Sequence, residues 1–224
     1  MENTKDTYLT LAHESESIYK DKGSKFMAYA TPLSIEMDFS AFLERIKKEH
    51  PKARHYCYAW RLGMDKNVYR ANDDGEPSGT AGRPILGQID SFGLTNVGIV
   101  VVRYFGGTLL GTSGLIQAYK ESSADALRQA EIVEKTIHDI IDVRFGYDKM
   151  SDVMNAVKKL NITVLKQVFE ETGTLIIAIR QSESEAKLLE IRALIMKISL
   201  EEAKSREDTE GVEIKDVEVW SLKF

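Results

Sequence analysis

Val97-Gly98-Ile99-Val100-Val101-Val102-Arg103-Tyr104-Phe105-Gly106-Gly107-Thr108-Leu109-Leu110-Gly111-Thr112-Ser113-Gly114 is the stretch from which the fold is read. Val97 to Val102 is short, β-branched and free of polar side chains. Such a run reads as a strand covered on both faces, which requires a layer on each side of its sheet. The glycine-rich turn from Phe105 to Gly114 follows, and a helix is predicted from about Ser113 to Ala130.

The surrounding segments supply the rest of a mixed α/β domain. Phe26 to Leu33 reads as a strand. Phe39, Phe42, Leu43 and Ile46 fall at i, i+3, i+4 and i+7, one face of a helix that Asp38 would cap and Pro51 would stop. Tyr56 to Trp60 is aromatic and β-prone, with Val68 to Arg70 as a pairing candidate. Eleven of the fifteen glycines lie between positions 63 and 114, and all four prolines lie within the first 84 residues. Beyond about residue 135 the chain is proline-free and strongly periodic. That shift places a domain boundary near Glu134–Ile137 and predicts domains at 1–135 and 136–224. In the second half, strands are predicted at Ile137–Val143, Ile162–Phe169, Thr174–Ile179 and Val212–Val219. Helices are predicted along Met150–Leu160 and along Leu188, Ile191, Ile195 and Ile198. Ser182 and Glu185 have the spacing of a capping box, and Asn161 suits a left-handed helix end. The order β-α-β-β-α-β is that of a ferredoxin-like domain.

Composition excludes several classes of function. The chain has 224 residues, 30 Lys plus Arg against 35 Asp plus Glu, a formal charge of −5, and one cysteine. A lone Cys57 rules out an intramolecular disulfide and a cysteine zinc site. No segment approaches the ~20 apolar residues of a membrane span. The N-terminus has no signal-peptide pattern, so a cytoplasmic, membrane-independent protein is expected. The acidity is uneven: residues 1–135 hold 17 basic and 18 acidic side chains, residues 136–224 hold 13 and 17.

Three segments are candidates for chemistry. The turn from Gly106 to Gly114 follows a buried strand and opens a helix. It reads either as a tight turn with Thr112 or Ser113 as cap, or as a loop whose amides bind an anion. It has neither the Walker A nor the dinucleotide-binding pattern. The segment from Asn72 to Pro84 puts Asp73, Asp74 and Glu76 within four residues. It reads either as a weak divalent-cation candidate or as a polar turn into a short helix capped by Ser78 or Thr80. From Arg45 to Arg61 there are six basic residues and one acidic one, with His50, His55, Tyr56, Tyr58 and Trp60 interleaved. Basic groups would contact phosphates and aromatic faces would stack on bases. Equally, alternation would turn Tyr56, Tyr58 and Trp60 together into a core. His13, His50, His55 and His138 lack metal-ligand spacing, and no nucleophile elbow exists.

Taken together, Arg54-His55-Tyr56-Cys57-Tyr58-Ala59-Trp60, the run from Asp73 to Pro84, and Val102-Arg103-Tyr104-Phe105-Gly106-Gly107 with Gly111 and Gly114 resemble the YigZ/Impact family. The resemblance covers about residues 15–135, and the tail resembles the extra domain of the bacterial branch. It implies a ribosomal-protein-S5-domain-2-like N-terminal fold followed by a ferredoxin-like domain, an α+β architecture overall. The eukaryotic relative regulates translation, largely through an additional domain ahead of this region, so its stress-kinase partner is not expected here.

The resulting expectation is a non-enzymatic regulatory module of translation or stress. It would bind RNA, the ribosome or another phosphate-bearing partner through Lys52, Arg54, His55, Arg61, Arg83, Arg103, Tyr104, Gly106, Gly107, Gly111, Thr112, Ser113 and Gly114. No cofactor and no catalytic residue are assigned, and a protein partner is expected through the C-terminal domain. The alternative is an enzyme holding a nucleotide or phosphorylated small molecule on the 106–114 loop, with Mg²⁺ on Asp73, Asp74 or Glu76.

Overall fold

The computed structural model describes residues 6–65, 67–206 and 208–216. They form two compact units. One is Tyr8–Lys135; the other begins at Thr136 and takes in Asp6 and Thr7.

The first unit is built on a five-stranded sheet of β2 (Ser15–Asp21), β3 (Ser24–Pro32), β4 (His55–Leu62), β5 (Val68–Asn72) and β6 (Val97–Tyr104), in the order β2-β3-β6-β4-β5. Every pairing in it is antiparallel. β6 lies at the centre, and Val97 to Arg103 are all buried. Its side chains divide by period two. Val97, Ile99 and Val101 join one apolar cluster, with residues of α2 (Gly82–Ser91) and α3 (Gly111–Gln129). Val100 and Val102 join the other, under α1 (Glu36–Glu49). The sheet is thus sandwiched between helices, as the apolar run requires. Phe39, Phe42 and Ile46 of α1 are buried at the predicted spacing. Gly98 is small because Phe39 lies over it: a Cβ there would sit 2.5 Å from the ring. A separate pair, β1 (Thr7–Leu11) with β7 (Ile132–Thr136), lies at the two ends of this unit.

Asp38 caps the start of α1 as expected, from the third helical position: its Oδ2 accepts the amides of Ser34 and Ile35, both at 2.9 Å. Two local expectations are corrected. Thr112 and Ser113 do not cap α3, which starts at Gly111 after Leu110 with no side-chain cap. Neither Ser78 nor Thr80 caps α2, whose N-cap is Ala81. β2 is an element the sequence pattern does not disclose. It pairs with β3 through the two-residue turn Lys22-Gly23, both at positive φ (42° and 81°), the geometry of a tight hairpin.

The second unit has a four-stranded antiparallel sheet of β8 (His138–Phe145), β9 (Thr163–Phe169), β10 (Gly173–Arg180) and β11 (Val212–Asp216), ordered β11-β8-β10-β9. Between the strands run α4 (Met150–Lys159), α5 (Ser184–Met196) and α6 (Leu200–Lys204). This is the expected β-α-β-β-α-β order, and Ile141, Val143, Leu175, Ile177, Val153, Val157, Ile191 and Ile195 fill its core. Asn161 takes the left-handed conformation (φ 52°) after α4. The Ser182/Glu185 capping box does not form, because α5 starts at Ser184. The amide of Ser182 instead donates to Asp6, whose carboxylate also receives Nε and Nη2 of Arg180 at 2.7 and 2.9 Å. Those bonds hold the Asp6 carboxyl well below the usual range. A true capping box joins Ser199 and Glu202 at the start of α6. The predicted strand segment 217–219 lies outside the described residues. No helix among the described residues is long and apolar enough to cross a membrane.

Candidate functional site

The end of the central strands carries the strongest cluster. His55, the first residue of β4, stands opposite Arg103 on β6. Lys52, Arg54, His55, Arg103, Tyr104, Phe105 and Leu109 line one cavity of about 460 Å³. Lys52 and Arg54 are exposed on the turn after α1; Phe105 and Leu109 are exposed on the loop into α3.

Arg103 is the fixed member of this set. Its side chain is 7% exposed, and Nη1 donates to Glu76 Oε1 at 2.6 Å; Glu76 is 4% exposed. The guanidinium also lies against the rings of Phe26 (5.5 Å) and Phe105 (5.6 Å). Its Nε is buried without a hydrogen-bond partner among the described residues. The same Glu76 oxygen accepts the Tyr119 hydroxyl at 2.8 Å, and Cys57 Sγ contacts that hydroxyl at 3.2 Å. Burial pushes the Cys57 thiol and the Tyr119 phenol up, so both stay protonated at neutral pH. Cys57 is therefore a buried donor, with Asp73 O as a second partner at 2.9 Å, and not a nucleophile.

Tyr104 is positioned from behind. Its hydroxyl meets His50 Nδ1 at 3.0 Å, and His50 Nε2 meets the Tyr29 hydroxyl at 2.7 Å. The Tyr104 side chain packs against the cluster under α1. His55 Nδ1 donates to the Asp74 carbonyl at 2.9 Å, which leaves Nε2 as its available nitrogen.

The acidic segment folds back on β4 and its three carboxylates diverge. Asp73 acts as a remote cap for α2: Oδ1 accepts the amides of Ala81 (3.0 Å) and Gly82 (2.9 Å), and Oδ2 that of Gly79 (2.8 Å). Asp74 Oδ2 accepts the Tyr56 amide at 2.7 Å. Glu76 holds Arg103. As a cation-binding group these three are corrected: each is spent on a separate structural bond. Burial raises the Asp73 pKa, and the three amides outweigh it, leaving the carboxyl below its usual value. The unfolded chain then binds the proton more tightly, so this contribution is complete above the ordinary aspartate range near 4 and is lost as pH falls through the lower folded value. Asp73→Ala is expected to cost about 1–2 kcal/mol at pH 7, the price of a strong cap. Denaturant melts at pH 7 and pH 3 should show the gap between the two proteins narrowing in acid.

The remaining candidates are not brought to this cavity, which corrects the expectation of one shared cleft. Arg61 stands six residues along β4 from His55, about 20 Å away. It lines a different cavity with Arg83, Arg70 and Asp90, and pairs there with Asp90 (Nε–Oδ1 2.7 Å, Nη2–Oδ2 2.8 Å). From the 106–114 turn only Leu109 lines the first cavity. Gly106 is explained by close approach, since a Cβ would lie 1.8 Å from the Gly23 carbonyl carbon. Gly107 and Gly111 have positive φ (87° and 70°). Gly114 faces Leu110, with Thr112 and Ser113 exposed in the first turn of α3. Trp60 is buried beneath α1, with Tyr56 and Tyr58 packed against the same cluster, so these three are not a stacking surface. Leu109 and Tyr119 are the members that the sequence pattern missed, and Glu76, read there as a cation candidate, is instead the partner of Arg103 and Tyr119.

Comparisons with known proteins agree on the family of such a chain. The family model for the Impact N-terminal domain matches residues 22–127. The IMPACT family member YvyE of Bacillus subtilis (strain 168) is 34% identical over 162 residues, covering 72% of this chain and 74% of that protein. An IMPACT family member of Haemophilus influenzae is 36% identical over 167 residues, covering 74% and 81%. A crystal structure of a hypothetical protein superimposes with a TM-score of 0.70 at 29% identity, covering 96% of this chain and 98% of that one.

Proposed function

The chain belongs to the IMPACT family, and from that premise we propose that it is a non-enzymatic regulatory module of translation that binds RNA through the Lys52–Arg54–His55–Arg103 cavity. The translational part of the reading follows from the family resemblance. The RNA part rests on one observation: three permanent cations and a histidine surround a single cavity, and two apolar side chains, Phe105 and Leu109, are exposed at its wall. Phosphates would meet the cations, and an unpaired base would find a ring face on Phe105. The enzymatic alternative loses its metal-binding residues, because Asp73, Asp74 and Glu76 hold backbone amides and Arg103.

Filter binding with a structured RNA across a salt series tests the proposal. A complex that weakens steeply and log-linearly with salt is expected. Absence of any complex at low ionic strength would refute it.

A further inference from the structure

The RNA reading leaves open which phosphate the cavity takes. Resting on that reading, we infer that it takes a terminal phosphate monoester, the phosphorylated end of an RNA strand or a free nucleoside monophosphate, with the attached base on Phe105.

Charge balance comes first. Lys52, Arg54 and Arg103 line the cavity, and one carboxylate, that of Glu76, is paired with Arg103 behind it. Two positive charges remain in excess before His55 is counted. A monoester carries close to two negative charges at neutral pH. An internal phosphodiester carries one and would leave the site under-neutralised.

The second observation is the buried fork of Arg103. Glu76 uses Nη1, Phe26 and Phe105 flank the group, and Nε is left without a partner although the side chain is more than nine-tenths buried. A buried guanidinium N–H strongly favours an anionic acceptor. Nε itself is closed to solvent, so a phosphate entering beside Lys52, Arg54 and His55 would meet the part of the guanidinium that lines the cavity. His55 adds a nitrogen, Nε2, once Nδ1 is committed to the Asp74 carbonyl.

The third is size and wall chemistry. A cavity of about 460 Å³ is in the lower part of the ligand-pocket range and suits one nucleotide unit better than a strand running through. Phe105, 57% exposed, offers a ring for one base. Its contact with Arg103 places that ring next to the phosphate position.

Fluorescence anisotropy with the full chain tests the inference. The probes are a short single-stranded RNA with a 5′-phosphate, the same strand with a 3′-phosphate, and its twin with hydroxyls at both ends. At least one phosphorylated strand is expected to bind about tenfold or more tightly than the hydroxyl twin. Adenosine monophosphate as competitor separates the sources. Displacement at concentrations similar to the strand's own affinity marks a free nucleotide site, and a far weaker effect marks a strand end. Arg103→Lys is the direct variant, but its burial puts folding at risk. The exposed variants Phe105→Ala and Arg54→Ala keep the test decisive. Phe105→Ala should weaken the phosphorylated strand about tenfold while leaving displacement by inorganic phosphate unchanged. Arg54→Ala should weaken both. Equal affinity for phosphorylated and hydroxyl strands would overturn the inference and leave the RNA reading standing. No binding of any strand would overturn both.

Discussion

Glu76→Ala is expected to be among the most destabilising single substitutions in the chain. It removes the only carboxylate among the described residues that is bonded to Arg103, whose side chain is 7% exposed, and the acceptor of the Tyr119 hydroxyl, which is fully buried. Breaking a buried ion pair from one side leaves an uncompensated charge and costs about 3–5 kcal/mol. For a chain of 224 residues, that lowers the melting temperature by roughly 6–20 °C. Glu76→Gln keeps the shape and one acceptor oxygen, so it should lose less. The pair Glu76→Leu with Arg103→Met should recover much of the loss, because an apolar replacement of both partners leaves no buried charge. Thermal melts of the four proteins check this. If Glu76→Ala melts within 2 °C or so of the parent, the buried pair is not the keystone assigned here.

Gly106→Ala is the second large effect. The added Cβ would lie 1.8 Å from the Gly23 carbonyl carbon, 2.1 Å from its oxygen and 2.2 Å from the Ser24 amide nitrogen. These are backbone atoms of the β2–β3 turn, so no side chain can swing away. The loop after β6 must part from that turn, and the bond from the Gly106 amide to Ser24 Oγ (3.2 Å) goes with it. About 3 kcal/mol is expected, the upper end of overpacking costs. Gly107→Ala is the matched control. Nothing lies within 4 Å of its Cβ position, and only its positive φ of 87° is penalised, by about 1 kcal/mol. Denaturant midpoints should therefore separate neighbouring glycines by about 2 kcal/mol. Equal losses would mean that positive φ, and not close approach, explains both positions.

The glycine pair shows what a sequence can and cannot disclose. Two adjacent glycines look alike in a motif, but one is fixed by a contact 83 residues upstream and the other by its own dihedral. The central strand and α1 were legible because apolar period alone determines them. β2 was not, because its inward face carries half-buried Ser15 and buried Ser17 and only then an aromatic residue, Tyr19. Ser15 and Ser17 donate to the α3 carbonyls of Ala126 and Ser122 at 2.9 and 2.8 Å. Small side chains on both elements let strand and helix approach, and no apolar alternation marks such a strand.

The site was legible in part for the same reason. Lys52, Arg54, His55, Arg103 and Tyr104 come together because the β4–β6 register and the turn after α1 place them at one end of the sheet. Arg61 belongs to the same basic run, but its partner Asp90 lies 29 residues away, so a local charge count mistakes a structural ion pair for a binding group. Asp73 looks like a metal ligand in sequence because its three amide partners lie six to nine residues beyond it. The aromatic run alternates as a core-facing set should. The exposed ring is Phe105, one residue beyond a strand that is otherwise entirely apolar up to Arg103.

The most direct measurement is the salt dependence of RNA binding by three proteins: the parent, Lys52→Ala/Arg54→Ala, and Arg83→Ala. All three residues changed are exposed, but Lys52 and Arg54 line the cavity with Arg103, and Arg83 lines the other one. Each lost phosphate contact on a single strand flattens the slope of log K against log salt by about 0.7. The slope should flatten by roughly 1.4 in the double variant and stay at the parent value in Arg83→Ala. Identical slopes in all three proteins, or flattening confined to Arg83→Ala, would contradict the placement of the binding site at this end of the sheet.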